Sequence, residues 1–598
     1  MTRDSQATVQ APQASSPAPE NVRAQVEKIL SNPAFSRSGR LSRFLKFAVE
    51  QTLAGHAEQL KEQSIGLDVF DRKTDYDPRI DPIVRVEARR LRAKLKAYYA
   101  SPGRRDDIVI AFPKGTYVPV FRCRSAGAAP VGSPRVEALE KSIVVLPFAN
   151  LTPGAGDDYF SDGLAEELIH WLTRIPGLRV VAWGSASQLR GREQDLAGIY
   201  QQLKVGSVLR GSVRRTPTRV RVTAQLIDAE SGSYLWSEAY DRELRNVFAI
   251  QEEMARAIVD TLQLRLGSPF AAGVVRKPPA LKCYNFCLQG RFHANKRTAE
   301  GLRKSIACYA QAIATDGICA EAYAGLADAY SLQADYGFVD PAEAIPQARS
   351  AAEQALAIDP QSAEANVSLA LIRGVFDWDW AGAEPLYRRA IALNPGYSRA
   401  HHWYGLDYLA LLGRLDEAYA EVLAAHHLDP LSQILREGCG YIHMLRREFD
   451  SALSVYQELT DLDPTFYKAY SSMGRLLSLM GRYEEAIATL KRALELGGPV
   501  PNILSALGQT LAVAGRKAEA RQYLKELEAM RKTQWVPNSC FAIVHLGLGD
   551  HATSLRYFEA ACEGRELAVT SLKVHPMYDP LRSEPVFERL LKRIGFLP

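Results

Sequence analysis

No Cys-x-x-Cys pair occurs among the eight cysteines of this 598-residue chain. The first twenty residues also lack the apolar run of a secretory signal. Together these two absences point to reduced thiols in a cytoplasmic protein. The strongest apolar stretch, "SIVVLPFANL" at 142–151, is far too short to cross a bilayer, so no membrane span is expected. Sustained coiled-coil heptads are missing, which leaves dimerisation without support. No Ser/His/Asp or Cys/His grouping sits in a supporting motif, and catalysis by a nucleophile has no candidate.

Hydrophobic content of 47% and charged content of 24% are those of ordinary globular protein. The length is too great for one core, so several domains are expected. Net charge is only +5, but it is unevenly spread: residues 21–124 hold 21 Lys/Arg against 12 Asp/Glu, and the remainder is slightly acidic. Such asymmetry suggests a polyanionic partner at one end.

Composition divides the chain. Residues 1–20, rich in Ala, Pro, Ser and Gln, read as a disordered tail. A basic domain spans 21–124, a linker 125–140, a middle domain 141–266 and a second linker 267–280, followed by a repeat region over 281–598. In that last region Ala348, Ala383, Ala418, Ala452, Ala486 and Ala520 recur at intervals of 35 or 34 residues. Pro360, Pro395, Pro430 and Pro464 close successive units. Gly413, Gly481, Gly515 and Gly549 fall at the turns, with Arg447 in that slot once. Small Ala suits a close helix approach, Gly a turn with positive φ, and Pro a helix end. This pattern resembles the tetratricopeptide repeat, in 7–8 helical hairpins over 281–560 with the final residues as a cap. Such solenoids imply a protein or peptide bound in a groove. Trp403 and Tyr404 are assigned to packing.

The middle domain alternates strand and helix before a meander of "SVLRGSVRR", "RVRVTAQLID" and "YLWSEAYDREL", which gives a small α/β sandwich. "VLPFANL", "FSDGLAEEL" and "LWSEAYDREL" are similar to the TolB-amino-terminal-like domain, although "RTPTR" at 215–219 stands where that family turns through Gly-Asp. "GSVLRGS" has phosphate-loop glycines but no Gly-Lys, so no nucleotide site is read there. Asp157, Asp158, Asp162, Glu166 and Glu167 read as capping and first-turn acids.

In the basic domain, "DPIVRVEARRLRAKLKAYY" at 81–99 starts with an Asp-Pro cap. It buries a stripe of Val84, Ala88, Leu91, Leu95 and Tyr98. Six cations share this helix with one Glu, including the like-charge i,i+4 pairs Arg85–Arg89 and Arg92–Lys96. Each such pair costs a few tenths of a kcal/mol, roughly, unless a polyanion is met. Helices at 39–55 and 62–70 precede it, and "DDIVIAFPKGTYVPVF" follows as two strands about a Pro-Lys-Gly turn. This plan resembles the winged-helix output domain of OmpR and CadC-type regulators. The resemblance implies double-stranded DNA as partner, with Arg85 and Arg89 nearest the bases, Arg92 and Lys96 towards phosphates, and Lys114 at the wing tip.

The fold class expected is therefore multidomain: winged helix (α+β), small α/β sandwich and all-α tetratricopeptide-repeat solenoid. The function expected is a non-enzymatic, DNA-binding transcriptional regulator whose solenoid binds protein. The alternatives are an interaction scaffold whose winged helix does not bind DNA, and an accessory relative of class III nucleotide cyclases that lacks their paired metal-binding aspartates. No cofactor or metal is assigned. Zinc held by Cys283, Cys287, Cys308 and Cys319 is conceivable, but these fall at helix-packing positions.

Overall fold

The computed structural model describes residues 18–32, 35, 38–70, 72, 76, 83–100, 103, 106–113, 116–123, 141–152, 158–175, 177–243, 250–251, 253–258, 261 and 281–597. The expected tail is described only from residue 18. The linkers at 125–140 and 267–280 lie outside the described residues, and so do Asp81, Pro82 and Asp157. The chain forms two compact units, 1–134 and 135–598.

Among the described residues the first unit has four α-helices, α1 Pro19–Leu30, α2 Gly39–Leu53, α3 Glu62–Phe70 and α4 Ile83–Ala100, with a short 3-10 turn at Ala57–Gln59. Strands β1 Ile108–Ala111 and β2 Val120–Cys123 then pair antiparallel, with Ala111 opposite Val120. The strands are therefore joined by residues 112–119, of which Lys114 and Gly115 of the expected turn lie outside the described residues. Every member of the expected α4 stripe is buried, at 4% exposure or less. Helix α1 was absent from the sequence reading, although Pro19 opens it and Val22, Val26 and Ile29 lie buried on one face. A buried carboxylate closes this core. Asp106 accepts from Lys28 Nζ and Gln25 Nε2, each at 2.6 Å, and from Tyr98 Oη at 2.9 Å. Burial opposes its charge, but these donors hold it below the usual carboxylate range.

The second unit begins with a sheet of β3 Ser142–Val145, β4 Ala149–Asn150, β5 Arg179–Val180, β6 Ser207–Arg215, β7 Arg219–Asp228 and β8 Tyr234–Glu243. Strand order is β5-β3-β6-β7-β8, parallel through β6 and antiparallel beyond it. Helices α5 Asp158–Leu172, α6 Trp183–Ser187 and α7 Leu196–Leu203 accompany it, and among the described residues 253–258 are helical too, with Met254 and Ile258 in the same core. The "RTPTR" turn is tight, because Thr216 Oγ1 accepts from the Arg219 amide at 2.9 Å.

Eight helical hairpins follow. They are α8 Leu281–Ala294 with α9 Ala299–Thr315, α10 Ala320–Asp335 with α11 Pro341–Ile358, α12 Ala363–Leu371 with α13 Trp380–Leu393, and α14 Ser398–Tyr404 with α15 Leu415–Leu428. The remaining four are α16 Gln433–Leu445 with α17 Phe449–Leu462, α18 Tyr467–Leu479 with α19 Tyr483–Gly497, α20 Pro501–Val513 with α21 Lys517–Arg531, and α22 Asn538–Gly547 with α23 His551–Glu563. Helix α24, Pro585–Ile594, ends the fold. All six repeat alanines sit on second helices with no exposed surface. Trp403 and Tyr404 are buried as well, in the packing role expected of them.

The two 35-residue intervals have a physical origin. Each contains one π-helical turn, Ile372–Phe376 after α12 and Gly405–Leu409 after α14. A π turn absorbs a single extra residue without breaking the helix. Every hairpin turn also carries one left-handed residue: Arg297, Gly337, Trp378, Gly413, Arg447, Gly481, Gly515 or Gly549. The three that are not glycine each have a side-chain contact. Arg565 lies over the Trp378 ring at 3.7 Å, Arg447 meets Asp579 at 2.7 Å, and Arg297 donates to Tyr336 Oη at 3.4 Å.

The final residues do more than cap the last hairpin: they return to the third, fourth and fifth. Trp380 Nε1 donates to the Ile594 carbonyl at 2.8 Å, and its ring stacks on Phe596 with centroids 5.0 Å apart. Lys573 Nζ donates to the Leu412 carbonyl at 3.0 Å.

A left-handed backbone costs an L-residue about 1 kcal/mol. Gly481→Ala is therefore expected to lower stability by about that much. Arg447→Gly relieves the same strain and gives up only an exposed ion pair, so its melting temperature should not fall. Thermal unfolding of the two variants beside the wild type checks both.

Candidate functional site

Helix α4 presents the chemistry singled out by the sequence, but its cations are not equivalent. Arg85 Nε donates to both carboxylate oxygens of Glu62 on α3, at 2.8 and 3.0 Å, while the side chain stays 57% exposed. That pairing comes first among the causes holding the Glu62 carboxyl below its usual range, and Tyr117 Oη donates to the same group. Arg90 pairs with the buried Glu87 at 2.8 Å and remains 66% exposed. Lys94 donates to Ser38 Oγ and lies over the Phe35 ring.

Arg92, expected to face phosphates, makes contacts within its own unit. Its guanidinium donates to the carbonyls of Phe112, Pro113 and Thr116 at 3.0, 3.2 and 2.9 Å. Bonded through Nε and Nη2 to three carbonyls of one loop, Arg92 fastens the β1–β2 connection to α4. The side chains of Arg89 and Lys96, and the whole of Lys114, lie outside the described residues. One feature went unread in the sequence. Val86 is 43% exposed on the outward side of α4. The buried stripe itself was the signal, since residue 86 falls opposite it.

In the second unit the acids read as caps have other partners. Glu167 on α5 meets Arg291 Nη1 on α8 at 2.7 Å, and Arg291 also binds Glu321 on α10. Burial and the Glu167 charge push Glu321 up to about 8. Asp162 pairs with Arg190. Asp158 accepts from Asn150 Nδ2 at 3.0 Å, while Glu166 is within 3.5 Å of Asn295. His170 lies 3.2 Å from Glu364 on α12.

Further along, the Ala182 amide donates to the Leu428 carbonyl at 2.8 Å. Ser185 Oγ donates to Asp429 and accepts from the Leu431 amide at 2.7 Å. A Cβ at Gly396 would come within 2.7 Å of the Thr173 side chain, so that corner requires glycine. The α/β layer is thus docked on the first helices and corners of the early hairpins. Sequence reasoning treated the two as separate because the contacts join residues more than 100 positions apart. Between this layer and the returning end of the chain, much of the repeat surface is taken up internally.

Residues 443–499 and 472–533 match family models of the tetratricopeptide repeat. The carboxy-terminal region is built of tetratricopeptide repeats. A Rhizobium meliloti protein named "Putative adenylate cyclase 3" is 38% identical over 151 residues, 25% of this chain and 26% of that protein. The chain therefore spans about a quarter of the length of this relative. Among solved structures, PilF of Pseudomonas aeruginosa aligns with 37% of this chain and 94% of its own, at 24% identity and a TM-score of 0.28. A tetratricopeptide repeat protein of Parabacteroides merdae aligns with 45% of this chain and 99% of its own, at 15% identity and a TM-score of 0.33. At these scores neither lends the chain a function. No helix among the described residues is long and apolar enough to cross a membrane.

Two outcomes follow from the geometry. Arg92→Ala removes three charge-assisted bonds and is expected to cost about 2 kcal/mol, seen as faster hydrogen exchange in 108–123. Arg90→Ala should leave that exchange unchanged. At the docking corner, burial raises Asp429 to about 6 against the hydrogen bonds from Ser185. The unfolded value is about 3.9, so the protonated carboxyl supports folding, and its contribution fades as pH rises from about 4 through 6. Asp429→Asn is expected to abolish that pH dependence of exchange protection in 182–187.

Proposed function

We propose that this chain is a non-catalytic transcriptional regulator. Its amino-terminal unit binds duplex DNA through α4, and its tetratricopeptide repeats bind a protein partner. The observation that carries the reading is the outward side of α4. Arg85 and Arg90 keep more than half of their side chains exposed, with Val86 between them. Arginine suits guanine edges or phosphates, and an exposed valine suits a thymine methyl in the major groove. A loop fastened by Arg92 beside that helix accords with the winged-helix resemblance, in which the hairpin meets the neighbouring backbone. The middle layer, similar to TolB-amino-terminal-like domains, then acts as a docking element for the repeats.

The cyclase relative favours a second reading, in which the chain is a non-catalytic accessory of nucleotide cyclases. Sustained formation of cyclic nucleotide from ATP or GTP by the purified chain would overturn the non-catalytic assignment.

With about four phosphates contacted, affinity for mixed duplex DNA should fall on the order of 100-fold between about 50 and about 200 mM salt. Arg89→Glu should weaken binding by roughly another 10-fold. Fluorescence anisotropy on the full chain reads both. Affinity indifferent to salt and to the substitution would sink the DNA reading and leave the protein-binding scaffold.

A further inference from the structure

Three buried thiols meet where the first two hairpins join. Cys283 and Cys287 are one turn apart on α8, and Cys319 immediately precedes α10. Their sulfurs all lie within 4.8 Å of one another, with Cys287 Sγ and Cys319 Sγ 3.9 Å apart. None is more than 6% exposed. Zinc–thiolate bonds of about 2.3 Å put the sulfurs of one tetrahedral ion about 3.8 Å apart. The cluster thus has nearly the spacing that shared coordination requires. Cys308, counted with these three from the sequence, is half-buried and stands outside the group.

The local chemistry favours a cation. Cys319 occupies the N-cap of α10. Its sulfur lies 3.9 Å from that of Cys287, at the end of a helix where the amides favour a thiolate. The three cysteines sit among Tyr309, Ala312 and Ala322, an apolar setting that suits soft thiolate ligation.

We propose that Cys283, Cys287 and Cys319 form a three-thiolate site for a thiophilic d10 metal ion, zinc(II) or copper(I). The ion binds the cysteines as thiolates and displaces their protons to solvent. Its place in the fold gives it a structural consequence. One side of α8 packs Tyr284 and Leu288 into the core of the sheet, while the other carries Cys283 and Cys287. A bound ion therefore clamps α8 to α10 at the helix on which the α/β layer rests.

The test uses the full chain, reduced, stripped by chelator and kept anaerobic, then offered zinc(II) alone or copper(I) alone. One equivalent of at least one metal is expected per chain, with an X-ray absorption spectrum of sulfur neighbours at about 2.3 Å. Cys287→Ser and Cys319→Ser should each lose that equivalent, and Cys308→Ser should keep it. The proposal is overturned if wild type retains neither metal at stoichiometry, if its first shell is nitrogen and oxygen, or if both serine variants load like wild type. Should the serine variants fail to fold, the wild-type stoichiometry and spectrum decide.

Discussion

The second unit depends on how closely two helices of a hairpin can approach. Fully buried Ala at one position of six successive second helices sets that distance, and a left-handed residue at each turn lets the chain reverse within it. The rest adapts to this constraint. Where one extra residue enters, a π turn absorbs it instead of a shifted helix contact. Where glycine is missing from the turn, a contact made by Trp378, Arg447 or Arg297 accompanies the strained backbone.

A stack of such hairpins leaves one face lined by first helices, and this chain uses much of that face itself. The α/β layer docks on first helices where its Glu167 shares Arg291 with Glu321 of the repeats, and elsewhere the end of the chain returns to stack Phe596 on Trp380 of α13. Buried charge of this kind is costly unless every group is paired. The pairing of Glu167 and Glu321 with one arginine therefore fixes where α5 sits relative to α8 and α10. A protein partner has to bind what remains or displace one of these segments.

In the first unit, the same economy governs charge. A helix carrying six cations would repel itself. The structure gives Arg85 the Glu62 carboxylate, Arg90 that of Glu87, and Arg92 the carbonyls of its own hairpin loop. Arg92 thus ties a neighbouring loop to the helix, whereas Arg85 and Arg90 are paired and still keep more than half of each side chain exposed.

Periodic features were legible in the sequence. The alanine spacing, the turn slot that includes Arg447, the buried stripe of α4 and the order of strands around the meander all follow from local geometry that recurs every two, 3.6 or 34 residues. Helix α1 was legible too, through Pro19 and its apolar spacing, but the low-complexity residues before it hid its start. Local pattern could not assign partners. Whether Arg92 faces a phosphate or a carbonyl, whether Glu167 caps a helix or grips Arg291, and whether Cys319 rather than Cys308 joins Cys287 depend on contacts between residues far apart in the chain. Those contacts exist only once the cores have closed, because tertiary packing decides which charges lose their water and must find one another.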